Sequence, residues 1–266
     1  MNNFLYSQLI QPNLDNKETF LILDDGKSFS YEEIISIASK ISHKLIKLGL
    51  KVGDPLLVKA PKCKETIALY LSSIMTGAVY FPLNSNYTPI ETNYFVKDSK
   101  PAFLISEESE IQKLKPICDE IGCKILSMNM NGEGDVTDGL KNFDSYFKPA
   151  FRKDDDLAAL LYTSGTTGRP KAVLHSHNTL ARASFCARNH WGMEPGAHIL
   201  MPSPVSHVSG YANGLELPFL CDTRTVLMES WNAEKAVELI ETFGVAGTVA
   251  ATPFLQELSR LSEEKG

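Results

Sequence analysis

Between two short apolar runs the chain reads Tyr162-Thr163-Ser164-Gly165-Thr166-Thr167-Gly168-Arg169-Pro170-Lys171. These residue types suit a highly charged oxyanion. Glycine lets a backbone turn sharply and come close to a ligand, and closely spaced N–H groups form an anion-binding concavity. Thr163, Ser164, Thr166 and Thr167 add four hydroxyls, and Lys171 adds a cation. A polyphosphate is the ligand that fits such a loop. The spacing excludes two familiar alternatives. A Walker A loop needs four residues between its glycines and then Gly-Lys-Ser/Thr, whereas Gly165 and Gly168 are separated by two and Arg169-Pro170 precede Lys171. No G-x-G-x-x-G follows a strand-like run, so a dinucleotide fold has no support. The plain structural alternative is a Ser/Thr-rich surface turn.

The elements that must hold this loop are legible on both sides of it. Leu157 to Tyr162 reads as a buried strand entering the loop. Upstream, Thr19 to Phe29 reads as a hairpin with a turn at Gly26, and Ser30-Tyr31-Glu32-Glu33 as a capping box. The following helix carries Ile34, Ile37, Ala38, Ile41, Leu45 and Leu48 on a helical period and stops at Gly49. Strands over 55–58, 78–81, 102–105 and 124–127 then alternate with helices over 64–75, 88–98 and 109–121. This alternation predicts an α/β fold with a mostly parallel sheet wrapped by helices. The stretch 129–144, rich in Gly, Asp and Asn, reads as a long mobile loop. Downstream the pattern predicts helices over 178–190, 207–220 and 232–243, and strands over 198–201, 225–228 and 247–251. A last helix is capped by Thr252-Pro253 and reaches about Arg260, with a fraying polar end.

Composition narrows the class. A chain of 266 residues with 43% hydrophobic and 22% charged residues is ordinary for a globular protein. A net charge of −6 gives no basic footprint for nucleic acid. The five cysteines are scattered with no C-x-x-C, which predicts reduced, mostly buried thiols and a cytoplasmic location rather than a zinc or redox site. Met1 to Leu5 carries no basic n-region and no small-residue cleavage site, so a secretory signal is not expected, and the uncharged stretch 66–90, interrupted by Ser, Gly, Pro and Asn, fits a helix followed by a strand better than a membrane span.

The loop from Tyr162 to Lys171 resembles the signature loop of the adenylate-forming superfamily, which holds acyl- and aryl-CoA synthetases, peptide-synthetase adenylation domains and beetle luciferases. Ala172 stands where members usually have glycine. Phe29 to Ile34 and Ile74 to Asn84 resemble two further family motifs, the second concerned with packing. Pro202-Ser203-Pro204-Val205-Ser206-His207-Val208-Ser209-Gly210 resembles a fourth. The resemblance implies that Thr163 to Gly168 and Lys171 bind ATP phosphates and steady the departing pyrophosphate. It implies that His207 sits at the carboxylate end of an acyl pocket that also includes Val208 and Gly210. Lys171 and His207 are thus the candidate catalytic residues. Amino-acid-activating members carry aspartate after the histidine, to pair with the substrate ammonium. Val208 here implies a carboxylic acid without an α-amino group, because a buried ammonium with no counter-charge is costly. Stretches 227–231 and 251–255 look like acyl-CoA ligases of the alicyclic or medium-chain kind.

The implied reaction has two steps: a carboxylate attacks the α-phosphate of MgATP to give acyl-adenylate and pyrophosphate, and a thiol, coenzyme A, displaces AMP. The resemblance covers nearly all of this chain and about the first half of a family member. Residues 50–195 are expected to form one α/β subdomain carrying the loop. Residues 1–49 and 196–266 are expected to form part of a second, with the small C-terminal domain absent. The Tyr-Gly-x-Thr-Glu stretch, whose glutamate holds magnesium, does not occur within the 266 residues. A complementary C-terminal polypeptide is therefore an expected partner, and a binding protein that has lost catalysis is the alternative reading.

Three other clusters could do chemistry and read as structural. His175-Ser176-His177 lacks a third metal ligand nearby, and Asn178 beside it is a plausible helix cap. Lys153-Asp154-Asp155-Asp156 reads as a solvated charge cluster before the key strand rather than a metal site. No G-x-S-x-G elbow supports a serine hydrolase.

Overall fold

The computed structural model describes residues 3–163 and 170–265. Local signals set the first elements. Thr19–Leu23 (β1) and Ser28–Ser30 (β2) form the hairpin, and Gly26 takes the turn at φ +84°, where a side chain would be strained. The Ser30 side chain accepts the Glu33 amide and the Glu33 carboxylate accepts the Ser30 amide, starting α1 (Tyr31–Lys47). The same reciprocal cap, with Pro89 in the first turn, starts α3 (Pro89–Ser99) from Thr88 and Glu91.

The six-stranded sheet draws on residues 55–176. Its strands are β3 (Pro55–Lys59), β4 (Val79–Pro82), β5 (Phe103–Ser106), β6 (Lys124–Ser127), β7 (Leu157–Thr163) and β8 (Lys171–Ser176), in the order β6-β5-β3-β4-β7-β8. All neighbours are parallel except β7 and β8, which form an antiparallel hairpin. The helices α2 (Lys64–Thr76), α3 and α4 (Glu108–Ile121) connect the parallel strands, and α5 (His177–Trp191) follows β8. The five-stranded sheet joins β1 and β2 to β9 (His198–Met201), β10 (Arg224–Leu227) and β11 (Gly247–Thr248), in the order β11-β9-β10-β1-β2, with only β2 antiparallel. Between β9 and β10 lie α6 (Val208–Tyr211), a π-helical turn (Ala212–Glu216) and α7 (Leu217–Cys221); α8 (Ala233–Phe243) and α9 (Thr252–Lys265) complete the described chain. The fold is α/β, two helix-flanked and mostly parallel sheets.

Strand alternation divides the core. Leu56 and Val58 of β3 face a cluster shared by both sheets, which includes Phe20, Ile41, Leu45, Leu69, Tyr80, Leu161 and Phe219. Leu57, between them, points to the outer face with Phe81, Phe95, Leu104 and Leu114. Across the molecule Leu21 joins the shared cluster while Ile22 joins Leu200, Val226 and Leu239 under α8.

Four expectations change. The helix over 207–220 is broken. Pro218 lacks an N–H and crowds the preceding turn, and Gly214 lies where any Cβ would sit 2.0 Å from Met201 Cε. The 129–144 loop is stitched to β6: the Asp135 carboxylate accepts the Ser127 amide at 3.1 Å and its hydroxyl at 3.0 Å, and Val136 is fully buried. Its polar composition conceals that anchor. The strand expected over 247–251 has only Gly247–Thr248, and the last helix continues to Lys265 instead of ending near Arg260.

Ile41, fully buried between the sheets, and Ile90, 83% exposed, give a matched test of this core. Ile41→Ala is expected to cost about 2–5 kcal/mol in urea unfolding, and Ile90→Ala no more than about 0.5 kcal/mol.

Candidate active site

β4, β7 and β9 run so that their carboxyl ends open onto one cleft, the usual place for a ligand in an α/β sheet. Thr163 ends β7 and Lys171 begins β8, paired across the hairpin. The two ends of the phosphate loop are thereby held side by side. Ser164, Gly165, Thr166, Thr167, Gly168 and Arg169 lie outside the described residues.

Both shoulders of the loop are tied to α3. The Tyr162 hydroxyl donates to the Asp98 carboxylate, and the Tyr94 hydroxyl donates to the Pro170 carbonyl at 3.1 Å. The Tyr162 ring stacks on Phe81 at 4.9 Å and meets Phe95 edge-on. Burial, then the Asp98 carboxylate, push the Tyr162 phenol upward, so it stays a neutral donor. Nothing local in the sequence signals this support, because the partners are distant along the chain.

The cleft has a volume of about 550 Å³, and Tyr162, Thr163 and His175 share its wall with His207 and Val208. His207 caps α6. Its Nδ1 accepts the Ser209 backbone N–H at 3.3 Å and lies 2.8 Å from the Ser209 hydroxyl. With Nδ1 occupied as an acceptor, the neutral ring carries its proton on Nε2 and offers a donor elsewhere. Val208 is 60% exposed. Gly210 is not on the cleft wall: a Cβ there would lie 2.1 Å from the Pro204 carbonyl oxygen, so this glycine serves a close backbone approach. Lys171 is exposed on β8 and also stands off the wall. A larger cleft of about 730 Å³ lies at the other end of the five-stranded sheet, beside Thr19, Tyr31 and Arg224, and holds none of the expected site residues.

The histidine pair divides in use. His175 lines the cleft, and burial lowers its pKa, keeping the ring neutral. His177 is buried, and its Nδ1 has no hydrogen-bond partner among the described residues. Ser176, not Asn178, caps α5, accepting the Thr179 amide at 3.2 Å. The Asp154 and Asp156 carbonyls accept the amides of Asn178 and His177, so the acidic cluster braces the start of α5 through its backbone. Among the described residues no group of three or more His, Cys, Asp or Glu could hold a metal ion. All five cysteines are free and four of them are buried, and no helix among the described residues is long and apolar enough to cross a membrane.

Two helix-flanked sheets thus bring Thr163, at the end of β7, and His207 to one cleft. Comparison with known proteins gives the family. The AMP-binding enzyme pattern matches residues 11–266, and the chain belongs to that family, within the adenylate-forming superfamily. It is 26% identical over 259 residues to the medium-chain fatty-acid–CoA ligase of Escherichia coli K12, covering 90% of this chain and 44% of that protein. It is 28% identical over 240 residues to the malonate–CoA ligase of Arabidopsis thaliana, covering 84% of this chain and 38% of that one. The ATP-bound crystal structure of MatB from Rhodopseudomonas palustris superposes with a TM-score of 0.92 at 28% identity, over 97% of this chain and 51% of that chain. The chain thus spans about half the length of its relatives, or less.

His177 makes stability pH-dependent. Burial, then the neighbouring Arg152 charge, lower its pKa from 6.5 to about 4, partly opposed by Asp156. The fold favours the neutral ring, so this contribution is complete above pH 6.5 and is lost as pH falls towards 4. Its size is on the order of 3 kcal/mol. Urea unfolding across that window is expected to show the loss in the native protein and a flatter profile in His177→Gln.

Proposed function

We propose that this chain is the N-terminal portion of an ATP-dependent, AMP-forming acyl-CoA ligase that activates a carboxylic acid as its acyl-adenylate. The observation that carries the reading is the meeting of Thr163, at the mouth of the phosphate loop, with His207 on the wall of one cleft. Thr163 to Gly168 and Lys171 cradle the β- and γ-phosphates of MgATP and stabilise the charge that gathers on departing pyrophosphate. The His207 Nε2–H donates to the substrate carboxylate and aims its oxygen at the α-phosphorus. That oxygen forms the new P–O bond as the bond to pyrophosphate breaks. Coenzyme A then attacks the acyl carbon through its thiol, and AMP leaves with the carboxyl oxygen.

The cleft wall supports a substrate without an α-amino group. Among the described residues no Asp or Glu lines it, and Val208 presents an isopropyl group where a counter-ion for ammonium would be needed. The names of the relatives, which cover a medium-chain fatty acid and malonate, support a carboxylic acid and leave its chain open. Free, mostly buried cysteines fit a cytoplasmic setting.

Calorimetric titration with MgATP tests the phosphate role. Lys171→Ala is expected to weaken binding roughly tenfold through loss of a charge-assisted contact, and unchanged affinity would count against it. In ATP–pyrophosphate exchange on the protein together with any complementary half, His207→Ala is expected to lower carboxylate-dependent exchange by roughly a hundredfold while leaving MgATP affinity near native. Equal losses in both measurements would remove the histidine from the acid site.

A further inference from the structure

Lys62 lies in the connection between β3 and α2, on the six-stranded sheet, yet its Nζ reaches the other sheet. It donates to the carbonyls of Met201 at 3.0 Å, Pro202 at 2.9 Å and Ser203 at 3.2 Å, the last residue of β9 and the first two beyond it. The lysine is 9% exposed. Its turn is itself fixed, because buried Thr66 donates its hydroxyl to the Pro61 carbonyl. An ammonium has three N–H donors, and three carbonyls use them all.

These carbonyls begin the segment that leads to His207. The next carbonyl, Pro204, accepts the His207 amide at 3.1 Å, and the His207 carbonyl accepts the Tyr211 amide at 2.8 Å. Gly210 also packs against the Ser203 and Pro204 carbonyls, so closely that a Cβ would lie 2.7 Å and 2.1 Å from their oxygens. Residues 203 and 204 are therefore held by both the lysine and the first helical turn after the histidine. Burying an ammonium gains little net stability. Burial pulls the lysine down to a pKa of about 7, an effect that Glu229 opposes. What the arrangement does secure is the placement of one segment of the five-stranded sheet relative to the six-stranded sheet.

We propose that Lys62 is a positioning residue of the active site, whose ammonium clamps the end of β9 from across the sheet interface and so fixes His207 relative to Thr163 on the same cleft. Its consequence for catalysis rests on the ligase reading; the clamp itself does not. Thr163 is carried by one sheet and His207 by the other, so their separation is only as well defined as the contact between the sheets at this edge of the cleft. Lys62 makes that contact within a few residues of the histidine.

Lys62→Met keeps the apolar stem and removes the ammonium. In the intact chain, amide exchange over residues 205–211 is expected to accelerate roughly tenfold or more. The His207 ring-nitrogen resonance, identified by its loss in His207→Ala, is expected to move toward that of a free imidazole. Exchange in Leu56–Val58 and the resonances of His177 and His198 should stay native. A folded Lys62→Met protein with native exchange over 205–211 and an unmoved His207 signal overturns the proposal. So does an acceleration of equal size in β3, which would make Lys62 a general packing residue. Should the variant not fold, the native protein decides: Lys62 ammonium protons are expected to be slow to exchange and scalar-coupled to the carbonyl carbons of residues 201–203, and fast-exchanging, uncoupled protons refute the clamp. Failure of the native chain to bind MgATP would instead fall on the ligase reading and leave the exchange result standing.

Discussion

Glu216 is enclosed by protein, and the hydroxyls that satisfy it come from separate parts of the chain. Tyr70 of α2 donates at 2.6 Å and Ser184 of α5 donates to the other carboxylate oxygen. Burial raises the pKa of the carboxyl, and the hydroxyl bonds pull it back. A buried carboxylate without donors is heavily penalised. The node therefore forms only when α2, from the six-stranded sheet, α5, following the loop hairpin, and the π-helical turn of the other sheet arrive together. The Tyr70 ring meets Tyr80 and Tyr211 edge-on, each at 5.2 Å, so the polar node is set in an aromatic one. This directional contact fixes how the two sheets face each other, whereas the apolar cluster around it, non-directional by nature, supplies most of the burial.

Given that arrangement, the position of the site follows. The ends of β4 and β7 and the segment 206–208 beyond β9 line the same cleft. The cleft needs no insertion or extra element. It is walled on one side by the ends of β4 and β7 and by β8, and on the other by residues 206–208, beyond β9. Its rigidity is supplied edge by edge: α3 holds the loop hairpin through Tyr94 and Asp98, the Ser176 cap and the Asp154 and Asp156 carbonyls hold α5, and Lys62 holds β9.

Local features were legible in the sequence because their partners lie three or four residues apart. The Ser30–Glu33 and Thr88–Glu91 boxes, the Gly26 turn and the stop at Gly49 belong to this kind. The alternation of strands and helices gave the mostly parallel sheets, since a parallel pair needs a crossover. What was not legible depends on partners far along the chain. Asp135 looked like part of a polar loop until Ser127 was seen beside it, and nothing in the local sequence marks Glu216, within the stretch read as a helix, or Lys62, between a strand and a helix. Among site residues, Thr163 and Lys171 were marked by the composition of their loop, and His207 by the motif around it. His175 was read as structural because no metal partner accompanied it, yet it lines the cleft. Gly210 was marked by the same motif, and the close approach of the Pro204 carbonyl shows the backbone reason for a glycine there.

The polar character of the cleft follows from the hydrogen bonds just outside it. The Ser209 amide occupies His207 Nδ1 and leaves Nε2–H as the outward donor, burial keeps His175 neutral, and the Tyr162 phenol is turned aside to Asp98. Among the described residues the wall contains no carboxylate. A carboxylate placed there would meet N–H and O–H donors with no described carboxylate opposing it, whereas an ammonium would find neutral acceptors and no counter-charge. On the ligase reading proposed above, the lack of a carboxylate among the described residues around Val208, together with the tautomer of the histidine beside it, favours a simple carboxylic acid over an amino acid.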